Sequence, residues 1–407
     1  MNVSKVTDGI YQLSINIENM LFEGLWEVPD GVSMNSYIVK GEKTAIIDGV
    51  CGWDGVPEHF YDLMKQMDVD PKSIEYVILN HMEPDHTGWI EDLRKFHKDF
   101  KVLCTKKAAP MLEAFFNHTE NITVVGDGDT LDLGGRVLQF AEVPNVHWPD
   151  TMVTFDETSG TLFSCDAFGS YGKVDHGNYD DLLEEKDLLF YEEEAKRYYA
   201  NIVAAFSMFV DKAIAKCATL PIKIIAPGHG VVWRKDPNRI IEDYKRYASY
   251  QKGPAKKEVT VIWGSMYGMT EMGVKHAIAC LEKEEDIKVN VHRVPQEGWG
   301  HILGSAWSST GLVLAMPTYE YKMFPPMAAV LEEMGKKKVQ NRKVFRLGSF
   351  GWSGGAQREL DDINTRLKAN WEFIEPAEFK GAPTEEDYKN IEAGIKALCQ
   401  AVREAVK

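Results

Sequence analysis

His81-Met-Glu83-Pro-Asp85-His86, entered from the apolar run Tyr76-Val-Ile-Leu-Asn80, places four potential metal ligands within six residues at the mouth of an expected buried strand. Imidazole and carboxylate together suit first-row transition metals. Alternation along the loop would aim successive ligands at different centres, so a dinuclear site is the first expectation. A solvated strand-exit loop is the bland alternative. Against it, the same ligand types recur where later apolar runs end: His147 in Pro144-Asn-Val-His-Trp-Pro149, Asp166 after Thr161-Leu-Phe-Ser-Cys165, and His229 in Ile224-Ile-Ala-Pro-Gly-His229. Cys165, beside Asp166, is read as a small strand residue.

A second signal starts further on. Glu258-Val-Thr-Val-Ile-Trp-Gly264 has the look of a buried parallel strand, followed by Ser265-Met266-Tyr267-Gly268-Met269-Thr270 and an amphipathic helix to about Lys283. Hydroxyls and unpaired N–H groups at such a strand-to-helix turn form an anion site, aided by the helix dipole. Two similar strand exits follow. Gly311-Leu-Val-Leu-Ala-Met316 leads into Pro317-Thr318-Tyr319-Glu320, and Lys343-Val-Phe-Arg-Leu-Gly348 leads into Ser349-Phe350-Gly351-Trp352-Ser353-Gly354. In a doubly wound sheet, ligands sit at the carboxyl ends of the strands, where Tyr319 and Trp352 are expected to flank a bound ring.

The first ligand set resembles that of the metallo-β-lactamase superfamily, with one departure: zinc hydrolases of that fold usually have a second His where this chain has Glu83. The extra carboxylate favours iron or manganese over zinc. The Ser265–Thr270 loop resembles the phosphate loop of flavodoxins, from which Tyr267 departs. With both modules in this order and all seven ligand positions filled, nearly the whole chain resembles the flavodiiron protein family. That resemblance implies an α/β chain in two parts, a metallo-β-lactamase-like αββα sandwich (1–252) and a flavodoxin-like doubly wound αβα domain (257–407). It implies two Fe per chain, one held by His81, Glu83 and His147, the other by Asp85, His86 and His229, with Asp166 bridging. It implies FMN in the second domain, relaying electrons for reduction of O2 to water or of NO to N2O. Tyr199 matches a family position where an aromatic hydroxyl approaches the diiron pocket, and Glu23 stands where some members carry a His. The family also implies a head-to-tail homodimer, or a homotetramer built from it, in which one chain's flavin approaches its neighbour's metals.

Composition sets the remaining bounds. A length of 407 residues with 44% hydrophobic residues allows two or three domains with sizeable cores. A net charge of −16 argues against nucleic acid or an anionic membrane as partner. Six scattered cysteines with no C-x-x-C pair fit a reducing, cytoplasmic setting and contain no rubredoxin-type module. No signal-peptide pattern opens the chain and no apolar run reaches 18 residues. Gly348 to Gly355 lack a following ribose-binding acid, so NAD(P)H is not the expected reductant. The expected donor is an external one, rubredoxin or reduced F420. His59, His97 and His118 are expected to be surface or packing residues of helices, and His176 a solvated loop residue. The Glu run 192–194 and Lys run 336–338 are expected to lie on exposed faces. Two rivals remain at this level: a zinc hydrolase with a flavin domain, and a non-catalytic flavodoxin-like electron carrier.

Overall fold

The computed structural model describes residues 2–174 and 179–407; His176 lies outside them. The chain forms two compact units, Met1–Tyr199 with Met208–Lys245, and Ala200–Ser207 with Arg246–Lys407.

In the first unit, strands β1 (Asn2–Thr7), β2 (Ile10–Ile17), β3 (Leu21–Phe22), β4 (Trp26–Glu27), β5 (Val32–Lys40), β6 (Thr44–Ile47), β7 (Ile74–Ile78), β8 (Lys101–Cys104) and β9 (Ile122–Val124) precede β10 (Thr130–Asp132), β11 (Val137–Glu142), β12 (Met152–Asp156), β13 (Thr161–Cys165) and β14 (Ile224–Pro227). They build a seven-stranded sheet in the order β1-β2-β5-β6-β7-β8-β9 and a five-stranded sheet running β10 to β14, with β3 and β4 as a separate hairpin. Helices α1 (Val56–Gln66), α2 (Pro84–Thr87), α3 (Ile90–Leu93) and α4 (Ala108–Phe116) follow strands of the first sheet; α5 (Glu185–Tyr198), α6 (Ser207–Cys217) and α7 (Pro237–Ser249) flank β14 in sequence.

One core lies between the sheets, where Ile47 and Ile78 meet Leu138, Phe140 and Phe163. Another joins the outer face of the first sheet to Phe60, Leu63, Ile90 and Leu112 of the helices. On the opposite side, Leu162 of β13 shares a hollow with Ile214 of α6 and Ile241 of α7. Two sheets buried on both faces make the αββα sandwich. They also explain why β5, β12 and β13 are buried along nearly their whole length instead of on alternate residues.

The second unit holds β15 (Lys256–Trp263), β16 (Lys288–Arg293), β17 (Ser309–Ala315), the small hairpin β18 (Thr318–Tyr319) and β19 (Lys322–Met323), β20 (Lys343–Phe350) and β21 (Glu372–Lys380). Its main sheet is parallel throughout, ordered β16-β15-β17-β20-β21. The crossovers are α8 (Met269–Leu281), α9 (Trp299–Ser308), α10 (Pro325–Lys336) and α11 (Ala356–Arg366); α12 (Glu385–Ala405) closes the fold. A capping box between Thr384 and Asp387 starts α12. This is a flavodoxin-like order, with β15 and β17 diverging at its switch point.

Three side chains differ from expectation. Glu194 is buried, its carboxylate accepting from Arg197. His118 follows α4 instead of lying in a helix, stacked 5.8 Å from Phe100. His97 also sits past its helix, with Nε2 2.8 Å from the carbonyl of Ile74. No helix among the described residues is long and apolar enough to cross a membrane.

Candidate metal centre and flavin loops

The 81–86 loop owes its geometry to a very short helix. Pro84 occupies the first position of α2, where its missing N–H costs nothing, and Glu83 is the N-cap in extended conformation. Asp85 and His86 therefore lie in the helical turn while Glu83 precedes it, so neighbouring ligands leave the chain in different directions. Thr87 Oγ1 donates back to the carbonyls of Met82 and Glu83, fastening the turn. The ring of His86 has space because residue 228 is Gly: a Cβ there would stand 2.8 Å from His86 Cε1.

Four strand exits and loops bring seven donors together in two groups. His81, Glu83, His147 and Asp166 each offer an atom within 4.8 Å of the others, and Asp85, His86 and His229 form the second group. Glu83 Oε2 lies 3.2 Å from His81 Nε2 and 3.0 Å from His147 Nε2. Asp85 Oδ2 is 3.3 Å from His229 Nε2. Asp166 serves both groups with opposite oxygens. Its Oδ2 is 3.4 Å from His81 Nε2 and 3.2 Å from His147 Nε2, while Oδ1 is 3.0 Å from His86 Nε2 and 3.3 Å from His229 Nε2.

The far sides of the rings are also held. His229 Nδ1 is 2.9 Å from the carbonyl of Ser33, and His81 Nδ1 is 3.4 Å from Asp150 Oδ2, which itself accepts from the Met82 amide at 2.8 Å. Trp148 packs edge-on to His81 at 4.9 Å. Such partners fix ring orientation at metal sites.

Charge in this pocket is concentrated and desolvated. Burial alone would lower the pKa of His81, but Asp150, Glu83 and Asp166 outweigh it and take the ring up to about 10. His86 and His147, likewise opposed by burial, rise to about 9 against the surrounding carboxylates. Burial disfavours the Glu83 carboxylate, yet His147 and His81 hold it down at about 2. Both oxygens of Asp85, Asp166 Oδ2 and His229 Nε2 are buried without an aligned hydrogen-bond partner. Buried charged atoms left in this state call for a cation. Nitrogen and carboxylate donors in this ratio fit iron or manganese, so the donor set suits a pair of such ions. Cys165 also comes within reach of His86 and Asp166. Burial pushes its thiol well above its usual range, however, which agrees with a neutral packing residue.

The expectation for Tyr199 shifts by one residue. Tyr199 packs on Tyr244 at 5.2 Å, whereas the ring of Tyr198 lies 5.7 Å from His229 and its buried hydroxyl has no partner among the described residues. Burial, then Asp166, raises the Tyr198 phenol well above its usual range, so it keeps its proton. Glu23 accepts from the Trp26 indole at 2.8 Å. It lines, with Met20, Phe22, Met34, Trp53, Glu83 and Asp85, a hollow of about 220 Å³ that reaches the ligands.

In the second unit, the expected flavin residues gather at the carboxyl ends of β15, β17 and β20. Ser265, Met266, Tyr267 and Gly268 form the turn into α8, which Met269 and Thr270 begin. Gly268 is left-handed at φ 89°, a conformation glycine adopts without strain, and its amide donates to Ser265 Oγ at 3.0 Å. Thr270 Oγ1 and Ser349 Oγ lie 2.9 Å apart, linking the first loop to the third. Pro317 leads from β17 into the hairpin of Thr318 and Tyr319, turned at Glu320; Phe350 ends β20, and Gly351, Trp352, Ser353 and Gly354 run on towards α11. Tyr267 and Trp352 are 87% and 73% exposed, so these loops present aromatic surface outward. Tyr321, which sequence reading passed over, meets Trp352 edge-on at 6.3 Å.

Comparison with known proteins agrees with this two-part arrangement. Residues 32–230 match a family described as ODP family beta lactamase. An anaerobic nitric oxide reductase flavorubredoxin of Escherichia coli is 34% identical over 360 residues, covering 84% of this chain and 72% of the relative. The chain belongs to the flavodiiron family. Among solved structures, rubredoxin oxygen:oxidoreductase from Desulfovibrio gigas superposes with a TM-score of 0.92 at 25% identity, covering all of both chains. A flavo di-iron protein variant from Thermotoga maritima gives 0.88 at 30% identity, over 98% of each chain. Flavodiiron proteins carry FMN and a non-haem diiron centre, and are oxidoreductases acting on O2 or NO.

Proposed function

We propose that this flavodiiron chain reduces O2 to water, NO to N2O, or both, at an iron pair held by His81, Glu83, Asp85, His86, His147, Asp166 and His229, with FMN held by residues 265–270, 317–320 and 349–354. The observation that carries this reading is Asp166, whose two oxygens face two separate donor groups. When bound, the iron pair would supply a redox-active site where O2 or NO can be reduced, and FMN would supply it with electrons.

The chain's own residues do the rest. Met20, Phe22, Met34 and Trp53 make the hollow over Glu83 and Asp85 largely apolar, which favours an uncharged diatomic gas over ions. Asp150 and the Ser33 carbonyl hold two of the imidazoles in place. In place of Tyr199, the Tyr198 hydroxyl is the proton-bearing group beside the site, and its unpaired O–H is free to donate towards an oxygen arriving there.

On the same reading the functional domains are 1–252 and 257–407, and the protein works in the cytoplasm as a homodimer or homotetramer, without nucleic acid or membrane. Its electrons come from an external donor, rubredoxin or reduced F420. Metal analysis with a visible spectrum tests the core of this: about two iron and about one FMN per chain are expected. Zinc in place of iron would support the hydrolase rival, and flavin without iron the carrier rival. Turnover should be slow with NADH alone and restored by rubredoxin with its reductase or by reduced F420. Rapid turnover with NADH alone would remove the donor assignment, and a fully active monomer in sedimentation would remove the assembly.

A further inference from the structure

Two arginines of β20 and its approach are fully buried, and they are treated very differently. Arg342, just before the strand, gives its guanidinium to main-chain carbonyls: Nη1 to Tyr250 at 2.9 Å and Nη2 to Trp307 at 2.8 Å. That is what a structural arginine does, since its five donors must be answered once water is gone. Arg346 does not. Its Nε, Nη1 and Nη2 have no aligned acceptor among the described residues. Among the described residues its ion-pair partner is the part-exposed Glu378 on β21, with Oε1 2.6 Å from Nη1.

The position of this pair is informative. Gly348 pairs with Glu378 across β20 and β21. A Cβ on Gly348 would stand 3.4 Å from Arg346 Nη2, and one on Gly354 would stand 3.4 Å from both carboxylate oxygens of Glu378. The charged heads therefore lie in van der Waals range of the two glycines that bracket the 349–353 loop, and at Gly348 a Cβ would first strike the Met316 carbonyl oxygen. Thr318 Oγ1, on the neighbouring loop, is likewise buried without a partner. A desolvated guanidinium with unanswered N–H groups, placed at the base of a ligand loop, points to an acceptor that arrives with the ligand.

Resting on the flavin reading above, we propose that Arg346 and Glu378 form a positioning and charge-setting pair for the flavin, Arg346 donating to the cofactor side of the 349–354 loop and Glu378 holding its charge in check. Two-electron reduction of oxidised flavin with uptake of one proton leaves one more negative charge on the cofactor, the electrons coming from the external donor. A buried cation nearby favours that reduced form, and an anion at the surface beside it opposes it more weakly, because solvent screens it. Removing one partner therefore moves the flavin in the opposite sense from removing the other, which a purely structural ion pair would not do.

The test uses purified holoenzyme of the parent, Arg346→Gln, Arg346→Lys and Glu378→Gln, with the flavin midpoint potential from anaerobic spectral titration and the FMN release rate on dilution. Glu378→Gln should raise the potential and Arg346→Gln should lower it. Arg346→Gln should also release FMN about tenfold faster, the loss of one charge-assisted hydrogen bond. Arg346→Lys keeps the charge but not the planar donors, so it should release FMN faster with a smaller change in potential. Should Arg346→Gln not fold, the contrast between Arg346→Lys and Glu378→Gln decides. Potentials that stay at the parent value, or move in the same direction in both charge-removing variants, would overturn the proposal. A parent that retains no FMN would overturn the flavin reading itself.

Discussion

The two ligand-bearing regions answer the same physical problem in opposite ways. Around Asp166 all four imidazoles are buried, and Glu83 and Asp85 are nearly so, with imidazole and carboxylate donors set 3.0–3.4 Å apart. Around the expected flavin loops the aromatic side chains Tyr267, Tyr319 and Trp352 are all exposed. Coordination bonds are short and directional, so their donors must be placed in advance by strand ends and second partners. A flavin is held by many weaker contacts spread over three loops, and a scaffold of parallel strands is enough to bring those loops together. The lesson is that preorganisation scales with the strength of each single bond to be made.

The largest test of this contrast is Asp166→Ala. If one carboxylate serves both donor groups, iron content should fall to near zero and gas reduction should cease, with the flavin spectrum unchanged. Retention of an intact iron pair would break the comparison at its centre. His147→Ala should be next in size: loss of iron from the Glu83 group in particular and abolished turnover, read by metal analysis beside activity. Full activity in an iron-depleted protein would refute the assignment.

On the flavin side a single contact should matter less. Thr270→Ala should weaken FMN binding by about ten- to a hundredfold, from about 1.5–3 kcal/mol for one hydrogen bond to a charged group, measured by fluorescence on reconstitution. Unchanged affinity would mean that the loop does not hold the phosphate. The smallest effect is expected from Tyr198→Phe. Iron and FMN contents should stay at parent levels while kcat falls about fivefold, as for loss of one ordinary hydrogen bond of about 1 kcal/mol. Tyr199→Phe, its ring packed on Tyr244, should leave kcat near the parent value. The reverse ranking of the two tyrosines would return the role to Tyr199.

Much of the candidate metal centre was legible in the chain because its donor residues are chemically distinctive and several stand where an apolar run stops, as His229 does after Ile224-Ile-Ala-Pro. The flavodoxin-like unit was legible for a related reason: three strand-to-loop exits share one sequence grammar. Tyr198 was not separable from Tyr199, since adjacent helical residues differ by about 100° in direction and only the packed helix shows which one faces His229. Phe22, Met34 and Trp53 come from three separate segments with no pattern linking them, so the hollow they line exists only in the folded chain. Arg346 gave no signal either. A charged residue inside an apolar run looks like an edge or a strand end, and its burial on a central strand emerges only from the sheet order.

The four residues of α2 carry a consequence for how such a site can change over time. Because Pro84 and the single turn after it set the directions in which positions 83, 85 and 86 depart, the sorting of ligands between the two groups belongs to the backbone and not to the side chains. Substitution at position 83 can thus exchange one metal preference for another while the sorting persists.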